Sequence, residues 1–409
     1  MRIGLYGGAF DPIHNGHVSV IRGVLDSGLA DIVIVIPSAR NPFKPGRSLT
    51  CAPYRYYMVK DVIEDLFSDK VYVSDIEFWI EGLSYTDSIV DKVTDTSYMT
   101  RFLMDCGFSA KKAGSSHDYF WIAGSDSLKT LYSWHNAGAL VSKIDFLMAI
   151  RPGDNISSED VIRLNRDKLG LPVNITTFDI DGINIASSGI RASANFDEVP
   201  EKAKAFIKQH DLYNAQQILA DASEETCKHF VEVGIWMYGH LKKKRLLHTL
   251  NTGLLSAYLA KCHGGDIDKA LIAGAVHDCA KELPVEEQAK LARIRSGNLF
   301  TEEKLLHSPA GAVFYADAFD VDDTEILDAI TYHTTGRGDM TLLDKIVFLA
   351  DKIEPSRTYT DLSLMRKLAP SDLDGAVKLC LESVLDKFRK KGRPVHPLTE
   401  DFMKSLGMN

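Results

Sequence analysis

The stretch that decides the fold of the first half is GGAFDPIHNGH, Gly7 to His17. It follows a short apolar segment, Arg2 to Tyr6, that predicts a β-strand. After it, VSVIRGVLDSG carries apolar residues at helical spacing until Gly28, and a second apolar strand, Asp31 to Pro37, comes next. This order of strand, loop, helix and strand predicts a parallel crossover, with the loop at the sheet edge where open α/β folds bind ligands.

The composition of the loop indicates phosphate binding. Gly7 and Gly8 let the main chain approach an anion at the start of a helix, and the Asp-Pro dipeptide that follows predicts a turn. His14 and His17 are nearly one turn apart, so both imidazoles can donate to one oxyanion. The loop lacks both the Walker A ending and the GxGxxG fingerprint. The simpler alternative is a glycine-rich turn with two exposed histidines.

A second motif, IASSGIR, lies far downstream at Ile185 to Arg191. In this order the two motifs resemble the signature of the nucleotidyltransferase superfamily, which adenylylates small phosphates. The resemblance places its HxGH element at His14 to His17 and its segment for the β- and γ-phosphates of ATP at the serines and Arg191. Ala186 stands where that superfamily commonly has a serine, but Ser187 and Ser188 remain.

The segments between these motifs indicate which family of this superfamily the chain resembles. They are SYT (Ser84 to Thr86), FWIAGSDSL (Phe120 to Leu128), Trp134, Arg151 and VPEKAKAFIKQHDLY (Val199 to Tyr213). They are similar to bacterial nicotinate-nucleotide adenylyltransferases. The resemblance implies a Rossmann-like, doubly wound parallel sheet over residues 1–215. It also implies transfer of AMP from magnesium-bound ATP to nicotinate mononucleotide, which gives nicotinate adenine dinucleotide and pyrophosphate in NAD biosynthesis.

The resemblance also implies the roles of individual residues. Direct in-line attack by an anionic phosphate needs positioning and charge neutralisation rather than a protein base. The residues implied to be catalytic are His14, His17, Lys44 and Arg191. Those implied to bind ATP or substrate are Gly7, Gly8, Phe10, Asp11, Tyr85, Thr86, Asp126, Trp134, Ser187 and Ser188. The segment Thr94 to His117 is longer and more polar than is usual in the family, which predicts a surface excursion or a local helix.

Composition restricts the class of protein. A chain of 409 residues exceeds what one core usually serves, which predicts two or three domains. A formal net charge of -9 argues against nucleic-acid and anionic-membrane partners. The six cysteines contain no CxxC pair, and no signal-like leader or membrane-spanning run is evident, so we expect a cytoplasmic protein without a disulfide framework. A homo-oligomer remains possible.

From Ser223 onward the alternation of strands and helices stops. Helical periodicity predicts helices over Glu224 to Leu241, Arg245 to Cys262, Asp268 to Leu283, Asp323 to Tyr332, Leu342 to Ile353 and Asp372 to Lys390. The sequence therefore predicts a second, all-α domain over residues 220–409. Its boundary lies in the polar stretch Asn214 to Ser223, which lacks the composition of a long flexible linker.

Histidine-aspartate dipeptides occur three times, at His117, His210 and His277, so the dipeptide alone indicates little. Only His277-Asp278 falls among apolar residues of a predicted helix, where a buried charged pair needs a partner such as a metal. Other polar residues on neighbouring helices share this apolar context, namely His248, His307, His333 and Asp351. For any one of the histidines, a hydrogen-bonded core residue is the simpler interpretation.

As a set, these residues resemble the HD superfamily of metal-dependent phosphohydrolases. The segments HDCAKELP, LLHSPAGA and YHTTGRGDMTLLDKIVFLADKIEPSR resemble bacterial symmetrical diadenosine tetraphosphate hydrolases. The resemblance implies the metal ligands His248, His277, Asp278 and Asp351. It implies phosphate contacts by His307, His333 and Arg357, although His307 and His333 could instead complete a second metal site. Lys281, one turn after His277, could stabilise the leaving diphosphate together with Arg357, or it could be a solvated helix residue. Such ligands suit a divalent transition metal, iron first, with manganese, cobalt or zinc as alternatives.

Together the two resemblances predict a bifunctional enzyme whose partners are ATP, nicotinate mononucleotide and diadenosine tetraphosphate. The second half would cleave diadenosine tetraphosphate into two ADP. One alternative is an adenylyltransferase for another acceptor, such as nicotinamide mononucleotide or phosphopantetheine. Another is a helical half that senses a nucleotide without hydrolysing it.

Overall fold

The computed structural model describes residues 1–40, 49–151, 157–181, 185–358, 362–392 and 394–408. These residues form two compact units, Met1–Phe206 and Ile207–Asn409, called here the first and the second unit. The division falls within the helix Glu201–His210, which lies N-terminal to the predicted boundary at 214–223. Lys44 lies outside the described residues.

The first unit contains a six-stranded parallel sheet, which confirms the predicted doubly wound α/β fold. Its strands are β1 (Arg2–Gly8), β2 (Ile32–Pro37), β3 (Val71–Val73), β4 (Asp118–Gly124), β5 (Asp145–Ile150) and β6 (Ile175–Asp179), in the order β3-β2-β1-β4-β5-β6. Every residue of β2 is buried, because helices cover both faces of a parallel sheet. The strand order reverses direction between β1 and β4, so the carboxyl ends of these two strands form the topological switch point.

Helices connect the strands of the first unit. They are α1 (Asn15–Asp26), α2 (Ala52–Leu66), α3 (Thr86–Val93), α4 (Thr96–Asp105), α5 (Ala110–Ala113), α6 (Ser125–Leu128), α7 (Ala137–Val141), α8 (Ser158–Leu169), α9 (Ser187–Ser193) and α10 (Glu201–His210). Short 3-10 helices cover Ile76–Trp79 and Leu131–Ser133. The segment Thr94 to His117 forms α4 and α5, and it buries Met99 and Leu103 in the core, so it is a packed helical element rather than a surface excursion.

The second unit is helical, as predicted. Its helices are α11 (Leu212–Ala215), α12 (Glu224–Tyr238), α13 (Lys243–His263), α14 (Ile267–Val276), α15 (Val285–Ser296), α16 (Glu303–Phe319), α17 (Thr324–Tyr332), α18 (Leu342–Ile353), α19 (Leu362–Leu368), α20 (Leu373–Lys390) and α21 (Pro397–Ser405), with a 3-10 helix at Gln216–Ala220. Helices α15 and α16 were not among the predicted helices. Pro309 lies inside α16, yet the helix continues through that residue. Within the described residues, no helix has the length and apolar character needed to span a bilayer.

One predicted helix ends earlier than expected. Helix α14 stops at Val276, whereas the periodicity predicted a helix through Leu283, and His277 is its C-cap. The Nδ1 atom of His277 lies 2.7 Å from the carbonyl oxygen of Gly274. Neighbouring residues of a helix point roughly 100° apart, so leaving the helix here allows His277 and Asp278 to face the same centre.

Candidate functional sites

A cavity of about 690 Å³ lies at the carboxyl ends of β1 and β4. Nine of the predicted site residues line it: Gly7, Gly8, His14, His17, Tyr85, Thr86, Asp126, Trp134 and Ser187. Four others, Phe10, Asp11, Ser188 and Arg191, are not among its lining residues. The sheet topology explains why these residues lie together: β1 and β4 are parallel, so both strands end, and the loops after them begin, at the same edge of the sheet.

The two loop histidines form a stacked pair at the start of α1. Their ring centroids are 3.7 Å apart, and the main-chain N–H of His14 donates to Nδ1 of His17 over 3.2 Å. Because Nδ1 of His17 accepts a hydrogen bond, a neutral His17 carries its proton on Nε2. The ring edge of Phe10 packs against His17, with centroids 4.9 Å apart, and helps to fix its orientation.

Both histidines are neutral in the ligand-free site at neutral pH. Burial, and then the positive charge of Arg151, lower the pKa of His14 to about 4. Burial, the neighbouring His14 and Arg151 hold the pKa of His17 well below its usual value. The Nδ1 atom of His14 is buried without a hydrogen-bond partner among the described residues. A phosphate placed here would satisfy these groups and raise their pKa values, because an anion favours the charged form of imidazole.

Asp11 and Arg191 support the loop rather than line the cavity. Arg191 donates through Nη1 to the main-chain carbonyl of Asp11, and the same nitrogen lies 3.6 Å from Oδ2 of Asp11. The main-chain N–H of Thr50 donates to the same Oδ2 of this buried carboxylate, over 3.1 Å. Ser187 Oγ donates to the carbonyl oxygen of Pro12 over 3.0 Å. Residues of the downstream motif therefore hold the loop between β1 and α1 in place.

Packing requires a glycine at position 7 and restricts the side chain at position 8, in addition to any effect of a ligand. A Cβ atom added to Gly7 would lie 2.6 Å from the ring of Trp121, and one added to Gly8 would lie 3.1 Å from the ring of Phe10. The sequence argument attributed both glycines to close approach by a ligand. The structure adds a neighbouring aromatic ring as the reason for Gly7, since no real Cβ tolerates a contact of 2.6 Å.

Several residues of the cavity were not among the predicted site residues. Arg151 lines it, and its Nη1 lies 3.6 Å from Oδ2 of the exposed Asp126. His135 stacks on Tyr85 with ring centroids 4.2 Å apart, and its Nδ1 lies 3.1 Å from Oδ1 of Asp87. Arg151 could have been predicted, because it directly follows β5 and the carboxyl ends of parallel strands face the ligand site. The pairing of His135 with Asp87 could not, because it joins distant segments and has no local sequence signal.

A buried acid also faces this cavity. Glu77 lines it from the 3-10 helix after β3, and its side chain is almost fully buried. Its Oε2 accepts a hydrogen bond of 2.9 Å from the main-chain N–H of Ala39. Burial raises the pKa of Glu77 to about 7, although this hydrogen bond and the nearby Arg55 and Arg40 oppose the shift.

The second unit brings the predicted histidines and aspartates of five helices or helix ends to one buried point. His248 Nε2 lies 3.0 Å from Oδ1 of Asp351, and His277 Nε2 lies 3.6 Å from the same oxygen. Asp278 Oδ1 lies 3.1 Å from Nε2 of His307 and 3.5 Å from Nε2 of His333. The ligand atoms of His248, His277 and Asp351 lie within 4.8 Å of one another, as do those of His277, Asp278 and His333.

The outer nitrogens of these histidines are held by hydrogen bonds. Nδ1 of His277 and Nδ1 of His333 each lie 2.7 Å from the carbonyl oxygen three residues earlier, and Nδ1 of His248 lies 3.1 Å from a carboxylate oxygen of Glu354. These oxygens only accept, so each Nδ1 carries the proton. The lone pair of each Nε2 therefore faces the centre, which is the arrangement that metal-binding histidines adopt.

The cluster fits a metal ion. Nε2 of His277 and Oδ1 of Asp278 are buried without a hydrogen bond among the described residues, which is costly unless a further partner satisfies them. Burial opposes ionisation of Asp278, but the surrounding His277, His307 and His333 hold its pKa well below the usual value. Burial lowers the pKa of His333 to about 3, so this ring is neutral. Ionised carboxylates and neutral imidazoles are the forms that bind divalent metals.

Four cationic side chains surround the cluster. Arg245 donates to Oδ2 of Asp278, and Lys352 donates to Oδ2 of Asp351. Arg357 Nη2 donates to Oδ1 of Asp351 over 2.8 Å. The Nζ atom of Lys281 lies 3.0 Å from both ring nitrogens of His307, so Lys281 is part of the cluster and not a solvated helix residue. Lys281 and Arg357 were among the predicted site residues, whereas Arg245 and Lys352 were not.

Comparisons with known proteins also divide the chain into two parts. The model of the cytidylyltransferase-like family matches residues 5–193, and the model of the HD domain family matches residues 245–356. A protein of Mycoplasma pneumoniae named probable nicotinate-nucleotide adenylyltransferase/Ap4A hydrolase is 28% identical over 387 residues, covering 93% of this chain and 98% of the relative.

Two relatives match one part each. A symmetrical bis(5′-nucleosyl)-tetraphosphatase of Halalkalibacterium halodurans is 38% identical, covering 39% of this chain and 87% of the relative. A probable nicotinate-nucleotide adenylyltransferase of Clostridium novyi is 33% identical, covering 51% of this chain and 98% of the relative. Both coverages are nearly complete for the relative, so the similarity extends beyond isolated motifs.

Proposed function

Because the chain belongs to the nicotinate-nucleotide adenylyltransferases in its first part and to the symmetrical bis(5′-nucleosyl)-tetraphosphatases in its second, we propose that it is a bifunctional enzyme. The first activity transfers AMP from ATP to nicotinate mononucleotide in NAD biosynthesis. The second hydrolyses diadenosine tetraphosphate to two ADP. The observation that carries this proposal is the presence of two separate polar sites, each in a unit with its own near-complete relatives.

In the adenylyl transfer, we assign charge neutralisation to His14 and His17. Both are neutral without ligand and stand at a helix N-terminus, so each can donate a hydrogen bond to the α-phosphate as negative charge grows on it. Lys44 and Arg191 stay in the proposed set, together with Arg151, whose charge already acts on both histidines. Phosphate of the acceptor is itself an anion, so no protein base is required. Magnesium enters with ATP.

The substrate-binding assignments rest on the walls of the cavity. Tyr85, Thr86 and Trp134 line the cavity, and they are the proposed contacts of the mononucleotide. Gly7, Gly8, Asp126 and Ser187 are the proposed contacts of ATP. Phe10, Asp11 and Ser188, which do not line the cavity, are proposed to act on ATP through the shape of the loop and of α9.

Product analysis tests this activity. The purified chain, incubated with magnesium-bound ATP and nicotinate mononucleotide, is expected to form nicotinate adenine dinucleotide and pyrophosphate in equal amounts. Nicotinamide mononucleotide and phosphopantetheine, supplied in competition at equal concentration, test the alternative acceptors. Failure to form any dinucleotide would contradict the proposal, and preferential use of another acceptor would redirect it.

For the hydrolase, we propose that His248, His277, Asp278 and Asp351 hold a divalent metal, with iron as the first candidate and manganese, cobalt and zinc as alternatives. A bound divalent metal lowers the pKa of water and neutralises phosphate charge. His307 and His333 are proposed to contact the phosphates or to complete a second metal site. Lys281, Arg357, Arg245 and Lys352 supply the positive charge that four phosphates and a leaving ADP require.

A pair of variants separates the two activities. Asp278→Ala is expected to abolish formation of ADP from diadenosine tetraphosphate and to reduce bound metal, measured by elemental analysis, while adenylyl transfer continues. His14→Asn is expected to have the opposite effect. Metal-bound protein that binds diadenosine tetraphosphate without cleaving it would favour the sensor alternative. Unchanged hydrolysis by Asp278→Ala would exclude the assigned site.

We also propose a cytoplasmic location. The proposal rests on the scattered arrangement of the six cysteines in the sequence, which contain no CxxC pair.

A further inference from the structure

We infer that His210, which lies outside the part of the chain that matches the HD domain family, is a positioning residue of the metal centre. It acts through Asn251 and Glu354 on the ligand His248. The inference rests on the proposed hydrolase function, because it concerns the affinity and geometry of that site. No catalytic role is assigned to His210, because its line of contacts reaches His248 through Asn251 and Glu354.

A continuous line of short contacts joins His210 to His248. Nδ1 of His210 lies 3.0 Å from Nδ2 of Asn251, and the same Nδ2 donates to Oε2 of Glu354 over 2.8 Å. Oε1 of Glu354 then lies 3.1 Å from Nδ1 of His248. All four side chains are buried, with exposed fractions of at most 4%. Contacts of this kind gain strength from the low local dielectric and are costly to break.

The direction of each hydrogen bond follows from the chemistry of the groups. A carboxylate only accepts, so Asn251 must present its amide NH₂ to Glu354. The second N–H of that NH₂ group points to Nδ1 of His210, which therefore accepts and leaves the proton of His210 on Nε2. In this way His210 selects the amide orientation that Glu354 needs. A side chain without an acceptor at this position would remove this hydrogen bond from the buried amide, which is costly.

The carboxylate of Glu354, at the centre of this line of contacts, also accepts hydrogen bonds from Ser356. Ser356 donates to Glu354 twice, through its main-chain N–H over 2.7 Å to Oε2 and through its hydroxyl over 2.6 Å to Oε1. Glu354 therefore receives four hydrogen bonds, and one of them comes from the Asn251 amide that His210 orients. The contact of Glu354 with Nδ1 of His248 fixes the ring of this proposed ligand and directs its Nε2 towards the cluster.

His210 differs from the other residues of this centre in its position in the sequence, because it lies before the HD domain. It is the last residue of α10, and it belongs to one of the two His-Asp dipeptides that the sequence argument set aside. The HD family match begins only at residue 245. The second unit nevertheless begins at Ile207, so His210 folds with the metal centre. The segment before the HD domain thus contributes a buried group that the family pattern does not include.

The test compares His210→Leu with His210→Asn in the full-length chain. Leucine removes the acceptor, whereas asparagine can offer Oδ1 close to the position of the imidazole Nδ1. The measurements are the Kd for Co²⁺ by titration into metal-free protein, the visible absorption spectrum of the cobalt-loaded protein, and kcat and KM for diadenosine tetraphosphate. His229→Leu is the matched control, because His229 lies in the same unit and contacts Tyr315 instead.

We expect His210→Leu to weaken Co²⁺ binding about tenfold, in the range found for groups that orient metal ligands, and to alter the cobalt spectrum. His210→Asn should restore both values to near those of the wild type, and His229→Leu should leave them unchanged. Wild-type affinity and spectrum in His210→Leu would overturn the inference. Equal defects in His210→Leu and His210→Asn would do the same, since they would indicate a packing role. A wild-type chain that neither binds cobalt nor hydrolyses diadenosine tetraphosphate would overturn the proposed function and the inference with it.

Discussion

Nδ1 of His17 accepts a hydrogen bond from the main-chain N–H of His14, and the two imidazole rings stack 3.7 Å apart. The bond places the proton of a neutral His17 on Nε2, so this ring meets a phosphate as a hydrogen-bond donor without first being charged.

Replacing His17 with alanine should lower kcat for adenylyl transfer about 10²- to 10³-fold, the usual cost of removing one donor that stabilises developing negative charge. Hydrolysis of diadenosine tetraphosphate by the same preparation should stay at the wild-type rate, which controls for the amount of protein and the integrity of the second unit, and tryptophan fluorescence controls for folding of the first. A kcat within threefold of the wild type would exclude His17 from the transition state.

The stability of the first unit should fall in mild acid because of His14. Its pKa is lowered from 6.5 to about 4, so the folded state disfavours the proton that the unfolded chain accepts. The contribution of the neutral His14 to the free energy of unfolding is complete above about pH 6.5. It is lost as the pH falls towards 4, and at pH 5 the free energy of unfolding is lower by about 2 kcal/mol.

Urea unfolding can isolate this effect. The chain has four tryptophans, and Trp236→Phe leaves only those of the first unit as fluorescent reporters. In that background, His14→Asn should lose less stability than its parent between about pH 7.5 and pH 5. Equal losses in the two proteins would show that His14 does not titrate as described.

Gly7→Ala should destabilise the first unit by about 1–3 kcal/mol, the usual cost of overpacking, because the added Cβ would lie 2.6 Å from the ring of Trp121. Gly189→Ala is the control: beyond its own helix and chain neighbours, no atom of the described residues lies within 4 Å of the added Cβ, and a helical alanine is favoured over glycine. The same urea unfolding measures both. Equal stability of Gly7→Ala and the wild type would mean that ligand approach alone explains this glycine.

Lys281→Met should lower kcat for diadenosine tetraphosphate about 10²-fold while metal content stays unchanged, since it removes a charge beside His307 without removing a proposed ligand. Elemental analysis and ADP formation provide the measurements. Lys290→Met, at an exposed position of α15, should behave as the wild type. Loss of metal in Lys281→Met would mean that the lysine supports the ligands rather than the phosphates.

The sequence predicted those features that local patterns encode. The parallel crossover followed from two apolar strands around Gly7 to His17, and the helical second unit followed from periodicity. The histidines and aspartates of the cluster could be named because each lies among apolar neighbours in its own helix. The full-length similarity to a protein named for both activities agrees with the predicted pair of functions.

Features that depend on long-range packing were beyond local patterns. The end of α14 at Val276 was missed because the apolar run continues past it, while the chain leaves the helix to bring His277 and Asp278 to one centre. The contact of Lys281 with His307 was left open, because a lysine one turn after a histidine is equally compatible with solvent. Glu354 was missed since nothing in its neighbourhood marks a buried carboxylate that holds His248.

The bond between Ser187 and Pro12 has a consequence for the order in which the first unit becomes competent. The two residues are 175 positions apart, and strand β1 pairs with β4, whose first residue is Asp118. Contacts that close such long loops form slowly compared with local ones. During synthesis, the loop between β1 and α1 cannot form its contacts with Ser187 until most of the first unit has left the ribosome. A nascent or truncated chain that ends before Ser187 should therefore have the phosphate loop in its sequence but no working adenylyl-transfer site.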